Sequence, residues 1–235
     1  RQALPIAGDV MDSDALRTAV DTAAATFGRL DILANNAGGV SARPFLDQSE
    51  RSMRKHIDIN LMSMLVATQA AAKHMVAGGR GGAIVNVASI EASRAAPNFA
   101  VYAACKAGML SFTKSVAVEF AEHGIRVNCI APDHTITPGN QGNRAGPVDP
   151  ATWKRRSDEE VDAMNRLIPL GREGVDLECG DAAVFLASAM AAYVTGVLLP
   201  VDGGTWASSG WVRRWRSPRR RSRSRCAFWV ASRRM

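Results

Sequence analysis

With 235 residues, 47% of them hydrophobic and 22% charged, the chain is long enough to bury one full core and ordinary enough in composition to be globular. No apolar run approaches the roughly 18 residues that a membrane span needs. Four cysteines (105, 129, 179, 226) without C-x-x-C spacing exclude a disulfide framework and a thiolate zinc site. The net charge of +7 comes from ten arginines between Arg213 and Arg234; without them 19 basic residues face 22 acidic ones, a mildly acidic body.

The segment 3–10, ALPIAGDV, reads as a strand ending at Asp9. Residues 13–28 read as a helix with a serine cap, stopped by Gly28. LDILANNAG (30–38) is a strand running into a glycine-bearing turn, and 48–77 reads as helix. GGRGG (78–82) is a flexible turn, AIVNVAS (83–89) a buried strand, and 98–124 a long helix closing on Gly124. IRVNCIAP (125–132) is the next strand, followed by a helix near 178–190 and a last strand at 197–201. Buried strands alternating with helices imply parallel βαβ units and a doubly wound, Rossmann-type α/β sheet.

Two regions break that rhythm. Residues 133–168 are rich in Gly, Pro and Asn and then helical, as expected of a loop that covers a substrate at the carboxyl end of a strand. The tail, 212–235, has no acids and no periodicity and is expected to be disordered, which leaves 1–211 as the globular domain.

Tyr102 and Lys106 are four residues apart in VYAACKAGM, on one face of the expected helix. A free phenol titrates near about 10. A lysine ammonium within about 4–6 Å would stabilise the phenolate and let the tyrosine trade protons with a carbonyl or alcohol oxygen. Ser89, at the end of its strand, is placed to hold the same oxygen. The turn at Asn35, Asn36, Ala37 and Gly38, Asn60 in DINL, and the stretches VNCIAP and YVTGVLLPVDGG complete a series in order along the chain.

With these elements the chain resembles the short-chain dehydrogenase/reductase family over about residues 2–211. The resemblance implies an NAD(P)-dependent enzyme that moves hydride between a nicotinamide and a carbonyl or secondary alcohol of 3-oxoacyl, steroid or polyol type. It implies Tyr102 as acid/base, Lys106 as its activator and ribose ligand, Ser89 as the residue orienting the substrate oxygen, and Asn60 as holder of a relay water. It further implies cofactor contacts at Asp9 and Val10 (adenine), at Asn36, Ala37 and Gly38, and at Pro132 and Thr137. Glu91 and Pro97 occupy positions that often line the substrate pocket in the family, His134 stands in the loop expected to cover the substrate and is a candidate contact there, and small residues on the helix 98–124 suit the dimers and tetramers common in the family. Asp133 stands where the family usually has glycine.

The family's glycine-rich phosphate turn has no match. GGRGG cannot replace it, because it precedes a strand, whereas a phosphate cradle feeds a helix N-terminus. The expectation is a chain lacking the first β-α-β-α unit, which leaves the choice between NAD and NADP unreadable, the strand at 30–35 with an open edge, and dinucleotide affinity low. His56, His74 and His123 lack ligand spacing, so no metal site is expected. The chain opens on Arg1 in mid-pattern with no secretory signal, and its scattered thiols suit the cytoplasm. Two rival readings are a non-catalytic remnant and a nucleic-acid-binding protein acting through RSPRRRSRSR; the tail reads better as out-of-frame translation.

Overall fold

Strands that read as unbroken apolar runs are covered on both faces, and the segment Gly82–Val87 is the clearest instance. Its neighbours Ile84 and Val85 point to opposite faces and are 0% and 1% exposed. The computed structural model describes residues 2–141, 148–153 and 156–212. In chain order the strands are β1 (Ile32–Asn35), β2 (Gly82–Val87), β3 (Ile125–Pro132), β4 (Thr135–Ile136), β5 (Gly174–Val175) and β6 (Leu198–Val201). The main sheet runs β1-β2-β3-β6, all parallel, with Ile32 opposite Ala83, Gly82 opposite Ile125 and Cys129 opposite Leu198. β4 and β5 pair as a small separate sheet.

The longer helices are α1 (Ser13–Phe27), α2 (Glu50–Ile57), α3 (Ser63–Gly78), α4 (Ala100–Glu119), α5 (Asp158–Leu167) and α6 (Asp176–Ala187). On one face Ile84, Ile125 and Val127 pack against Ala71 and Met75 of α3, Val116 of α4 and Val20 of α1. On the other, Val85 and Ile130 pack against Leu186 of α6 and Ala191. Helices on both faces of a parallel sheet make the fold doubly wound, as expected. No described helix is long and apolar enough to cross a membrane.

A polar ladder runs through this apolar core. Asn35 Nδ2 donates to Thr68 Oγ1 (3.0 Å) and to Asn86 Oδ1 (2.8 Å). Asn86 Nδ2 donates in turn to Thr113 Oγ1 (2.8 Å), which lies 3.1 Å from Cys129 Sγ. Three strands and two helices are tied by side chains whose polar atoms would otherwise be costly to bury.

The structure corrects several expectations. Residues 3–10 are not a strand: 2–9 carry no regular structure, and Leu4 and Ile6 are exposed. A strand needs a neighbour, and β1 is the edge of the described sheet, with Ile32 53% exposed. Asp12, rather than a serine, caps α1, its carboxylate accepting from the N–H groups of Asp14 and Ala15. The helix expected over 48–77 is interrupted by a π-helical turn at Asp58–Met62, and that over 98–124 ends at Glu119, followed by a 3-10 turn at Ala121–His123. GGRGG ends α3 at Gly78 and opens β2 at Gly82. Gly81 holds φ 73° and passes so close to the chain at Gly124 that a Cβ would stand 2.5 Å from the Gly124 carbonyl oxygen. Of the substrate loop, 142–147 and 154–155 lie outside the described residues, as does the basic tail from 213 to 235.

Candidate active site

The carboxyl ends of β1, β2 and β3 and the first two turns of α4 converge on one place, the location a parallel sheet offers a ligand. Lys106, on the inward face of α4, is 3% exposed, and its Nζ donates to the Val87 carbonyl oxygen at the end of β2 (2.7 Å). Tyr102 lies one turn earlier, with Lys106 Nζ 5.6 Å from its ring centroid. Ser89 is buried just past β2 and caps the 3-10 turn Ile90–Ala92.

The electrostatics differ from the sequence expectation. Burial pushes the Tyr102 phenol above its ordinary value; hydrogen bonding by Ser89 pulls the other way, and the charges of Glu91 and Asp133 add to the rise. The expected lowering by Lys106 is absent, because burial pushes Lys106 down to about 8 and it has lost its proton before the phenol titrates.

Asn60 is fully buried at the π-helical turn. Its Nδ2 donates to the Gly39 carbonyl (2.8 Å) and the His56 carbonyl (3.0 Å), and its Oδ1 accepts from the Gly39 N–H (3.0 Å). The side chain clamps the backbone that follows β1. A π turn at such a position is a common mark of a functional site.

The acidic side of the site is a connected chain. The Ser89 hydroxyl donates to Glu91 Oε2, Arg94 Nη2 donates to Glu91 Oε1 (2.9 Å) and to Asp133 Oδ2 (3.3 Å), and His134 Nε2 lies 3.1 Å from Asp133 Oδ2. Burial works to raise Glu91, but its bonds to Ser89 and Arg94 prevail and hold the carboxyl below its ordinary value. Burial raises Asp133 in spite of His134 and Arg94. Asp133 takes an ordinary negative φ, so the residue that replaces the expected glycine needs no left-handed backbone; the positive φ falls next door on His134, at 43°.

Asn60, Ser89, Glu91, Tyr102, Lys106 and Gly38 are thus brought together, with Pro132 and His134 flanking Asp133. Asn36 and Ala37 lie exposed on the same turn as Gly38. Thr137 lies just past β4 and is tied to Asn140, its N–H donating to Asn140 Oδ1 (3.0 Å). Pro97 is exposed in the turn before α4. Asp9 and Val10 precede α1, where Asp9 Oδ1 accepts from the Met11 N–H (2.9 Å). Sequence reasoning missed Arg94 as the bridge between two carboxylates. Its i, i+3 spacing from Glu91 was a readable signal, but its reach to Asp133 was not.

The nicotinamide half of a dinucleotide fits these residues. Val87 takes only one of the three N–H donors of Lys106, and a Cβ on Gly38 would stand 3.0 Å from Asn60 Oδ1 and 3.6 Å from Lys106 Nζ, so a glycine keeps this cradle open for a ribose. The pyrophosphate half does not fit: among the described residues, no glycine-rich turn leads from a strand into a helix N-terminus.

The family model described as "Enoyl-(Acyl carrier protein) reductase" matches residues 1–205. The chain is 37% identical over 204 residues to 2-dehydro-3-deoxy-D-gluconate 5-dehydrogenase of Escherichia coli K12, covering 87% of this chain and 76% of that protein. It is 36% identical over 206 residues to L-rhamnose 1-dehydrogenase (NAD(P)(+)) of a Sphingomonas species, covering 88% and 77%. Among solved structures, carveol dehydrogenase from Mycobacterium avium in complex with NAD superimposes with a TM-score of 0.76 at 32% identity, over 85% of this chain and 73% of that one.

Proposed function

Because the chain belongs to the short-chain dehydrogenase/reductase family, we propose that Tyr102 carries the proton, and Ser89, Lys106 and Asn60 support it, in an oxidoreduction of small carbonyl and secondary alcohol compounds. The chain is an NAD(P)-dependent oxidoreductase acting on CH–OH groups. The observation that carries the reading is the placing of Tyr102 and Lys106 on one face of α4 beside Ser89, with the ammonium anchored on Val87 and 5.6 Å from the phenol ring.

When bound, the nicotinamide supplies hydride to a carbonyl carbon or removes it from a carbinol. In reduction Ser89 and Tyr102 hold the carbonyl oxygen, and Tyr102 gives it the phenolic proton. A phenol whose titration lies above its ordinary range is fully protonated at neutral pH and ready to donate. At neutral pH Lys106 still carries its proton, so its charge stabilises the phenolate left behind, and its free N–H donors suit the ribose hydroxyls. Asn60 holds the turn at Gly38–Gly39 beside Lys106, and in this reading it is the residue that holds the relay water. Asn36, Ala37, Pro132 and Thr137 are the further cofactor contacts of this reading, Asp9 and Val10 the adenine contacts, and Glu91, Pro97 and His134 face the substrate.

The relatives named for a sugar acid and a sugar support a polyol-type substrate. An apolar cleft of about 630 Å³ between α3 and α4, lined by Leu65, Ala72, Val76, Phe112, Val116 and Phe120, supports a homo-oligomer. The free thiols of Cys105, Cys129 and Cys179 agree with a reducing, cytoplasmic compartment. The test is oxidation of NADH and NADPH, each at millimolar concentration, against a keto-sugar acid, a 3-ketosteroid and a 3-oxoacyl thioester. Turnover with the first is expected, and no turnover with any of the three overturns the reading.

A further inference from the structure

Position 133 holds a carboxylate where a glycine is usual, between Pro132 and Thr137, the two loop residues read as cofactor contacts. The sheet fixes its place. Val87 on β2 faces Ile130 on β3, and the Ala88 N–H donates to the Ile130 carbonyl (2.8 Å). Lys106 Nζ is anchored on the Val87 carbonyl, and Asp133 comes three residues after Ile130, its N–H donating to the Val201 carbonyl of β6 (3.4 Å). The ammonium and the carboxylate thus stand at the carboxyl ends of neighbouring strands, the end at which the nicotinamide half of a dinucleotide fits.

An oxidised nicotinamide ring is a cation and a reduced one is neutral, so a net charge beside the ring favours one form over the other. Asp133 Oδ2 accepts from Arg94 Nη2 (3.3 Å) and lies 3.1 Å from His134 Nε2. The same Arg94 nitrogen donates to Glu91 Oε1 (2.9 Å), so two carboxylates share one guanidinium. Arg172, which lines a cleft with Asp133 on the side of β5 and β6, is spent on Glu178 through both terminal nitrogens (3.0 and 2.5 Å). With its side chain 11% exposed, Asp133 acts through a medium less polarisable than water, where a charge reaches further. We propose that Asp133 sets the preference of the site for the oxidation state of its cofactor: a carboxylate only partly compensated by an arginine shared with Glu91 favours the cationic, oxidised nicotinamide over the neutral, reduced one.

Tighter binding of the oxidised form lowers the reduction potential of the bound couple, by about 30 mV for each tenfold in the ratio of the two dissociation constants. The bound reduced nicotinamide is then the stronger hydride donor toward a carbonyl. A glycine at position 133 gives no such bias. The charge of Lys106 opposes the preference and stays constant when residue 133 is changed, so a comparison of variants isolates Asp133. The inference rests on Lys106 and Gly38 as the nicotinamide cradle, and its test needs no turnover.

The probes are nicotinamide mononucleotide in its oxidised and reduced forms, titrated calorimetrically near neutral pH. Both carry the same ribose and phosphate, so the ratio of their dissociation constants reports the ring charge. Two variants are compared with the wild type: Asp133→Asn, which keeps the shape and removes the charge, and Asp133→Gly, which brings in the usual residue. In both, the preference for the oxidised form is expected to fall by more than about threefold, through weaker binding of that form alone. A smaller fall, a rise, or an equal loss for the two forms overturns the proposal and leaves the cradle standing. A wild type that binds neither form overturns the cradle, and the proposal with it.

Discussion

Lys106 Nζ donates to the Val87 carbonyl oxygen at 2.7 Å and stands 5.6 Å from the Tyr102 ring centroid. A backbone carbonyl at the end of β2 therefore fixes where the one buried cation of the site sits, and the tyrosine meets it through its ring face at a distance. The charge is costly to keep there.

That cost has a pH signature. Burial depresses Lys106 from 10.5 to about 8, equivalent to about 3 kcal/mol of differential interaction. Below pH 8 folded and unfolded chains both hold the proton, and the burial cost is present in full. Between pH 8 and 10.5 only the unfolded chain holds it, so this lysine makes stability rise with pH across that window. Urea unfolding of the wild type and Lys106→Met at about pH 7.5 and about pH 9.5 reads the difference: relative to the variant, the wild type should gain about 2 kcal/mol at the higher pH. A gap that does not change with pH would mean that the ammonium is well solvated.

The polar ladder should be intolerant of interruption. Asn86→Val leaves Asn35 Nδ2 and Thr113 Oγ1 each without a partner they now have. Each keeps one other partner, Thr68 for Asn35 and Cys129 for Thr113, so with a lost buried hydrogen bond worth about 1 kcal/mol or more chemical denaturation should show a loss of about 2–3 kcal/mol. A loss below about 1 kcal/mol would show that water enters to replace the bonds.

Gly81→Ala tests why a glycine-rich turn stands before β2. The residue needs φ 73°, and a Cβ would stand 2.5 Å from the Gly124 carbonyl oxygen, a backbone atom that cannot swing aside. A destabilisation of about 2 kcal/mol or more is expected in thermal or urea unfolding. A neutral substitution would indicate that the turn is loose, as its composition alone suggests.

Dinucleotide recognition should be lopsided. The ribose next to the nicotinamide has Lys106 and the turn at Gly38 to meet it, whereas the described residues hold no helix N-terminus behind a glycine-rich turn for the pyrophosphate. Fluorescence titration of this chain should find NADH and reduced nicotinamide mononucleotide binding within about tenfold of each other. Micromolar binding of NADH with no detectable binding of the mononucleotide would contradict the assignment.

Much of this was legible in the chain. The buried strands 82–87 and 125–132 announce themselves as unbroken apolar runs, and the spacing of Tyr102 and Lys106 places both on one face of α4 before any coordinates are known. The run at 3–10 has the composition of a strand but no partner, and composition cannot report a missing neighbour. Asn60 is visible as a residue, but the π turn that buries it is set by packing rather than propensity. The sign of the Tyr102 shift was unreadable for a related reason. It depends first on the burial of the phenol, and then on Glu91 and on Asp133, 31 residues downstream, which converge on it only in the folded chain.

The decisive measurement is the turnover of Tyr102→Phe, with reduced dinucleotide at millimolar concentration and a keto-sugar acid as substrate. A ring that keeps its packing and loses only the hydroxyl should turn over at least about 100-fold more slowly than the wild type, with dinucleotide affinity unchanged. Turnover within about threefold of the wild type would remove Tyr102 from the chemistry and take the proposed proton path with it.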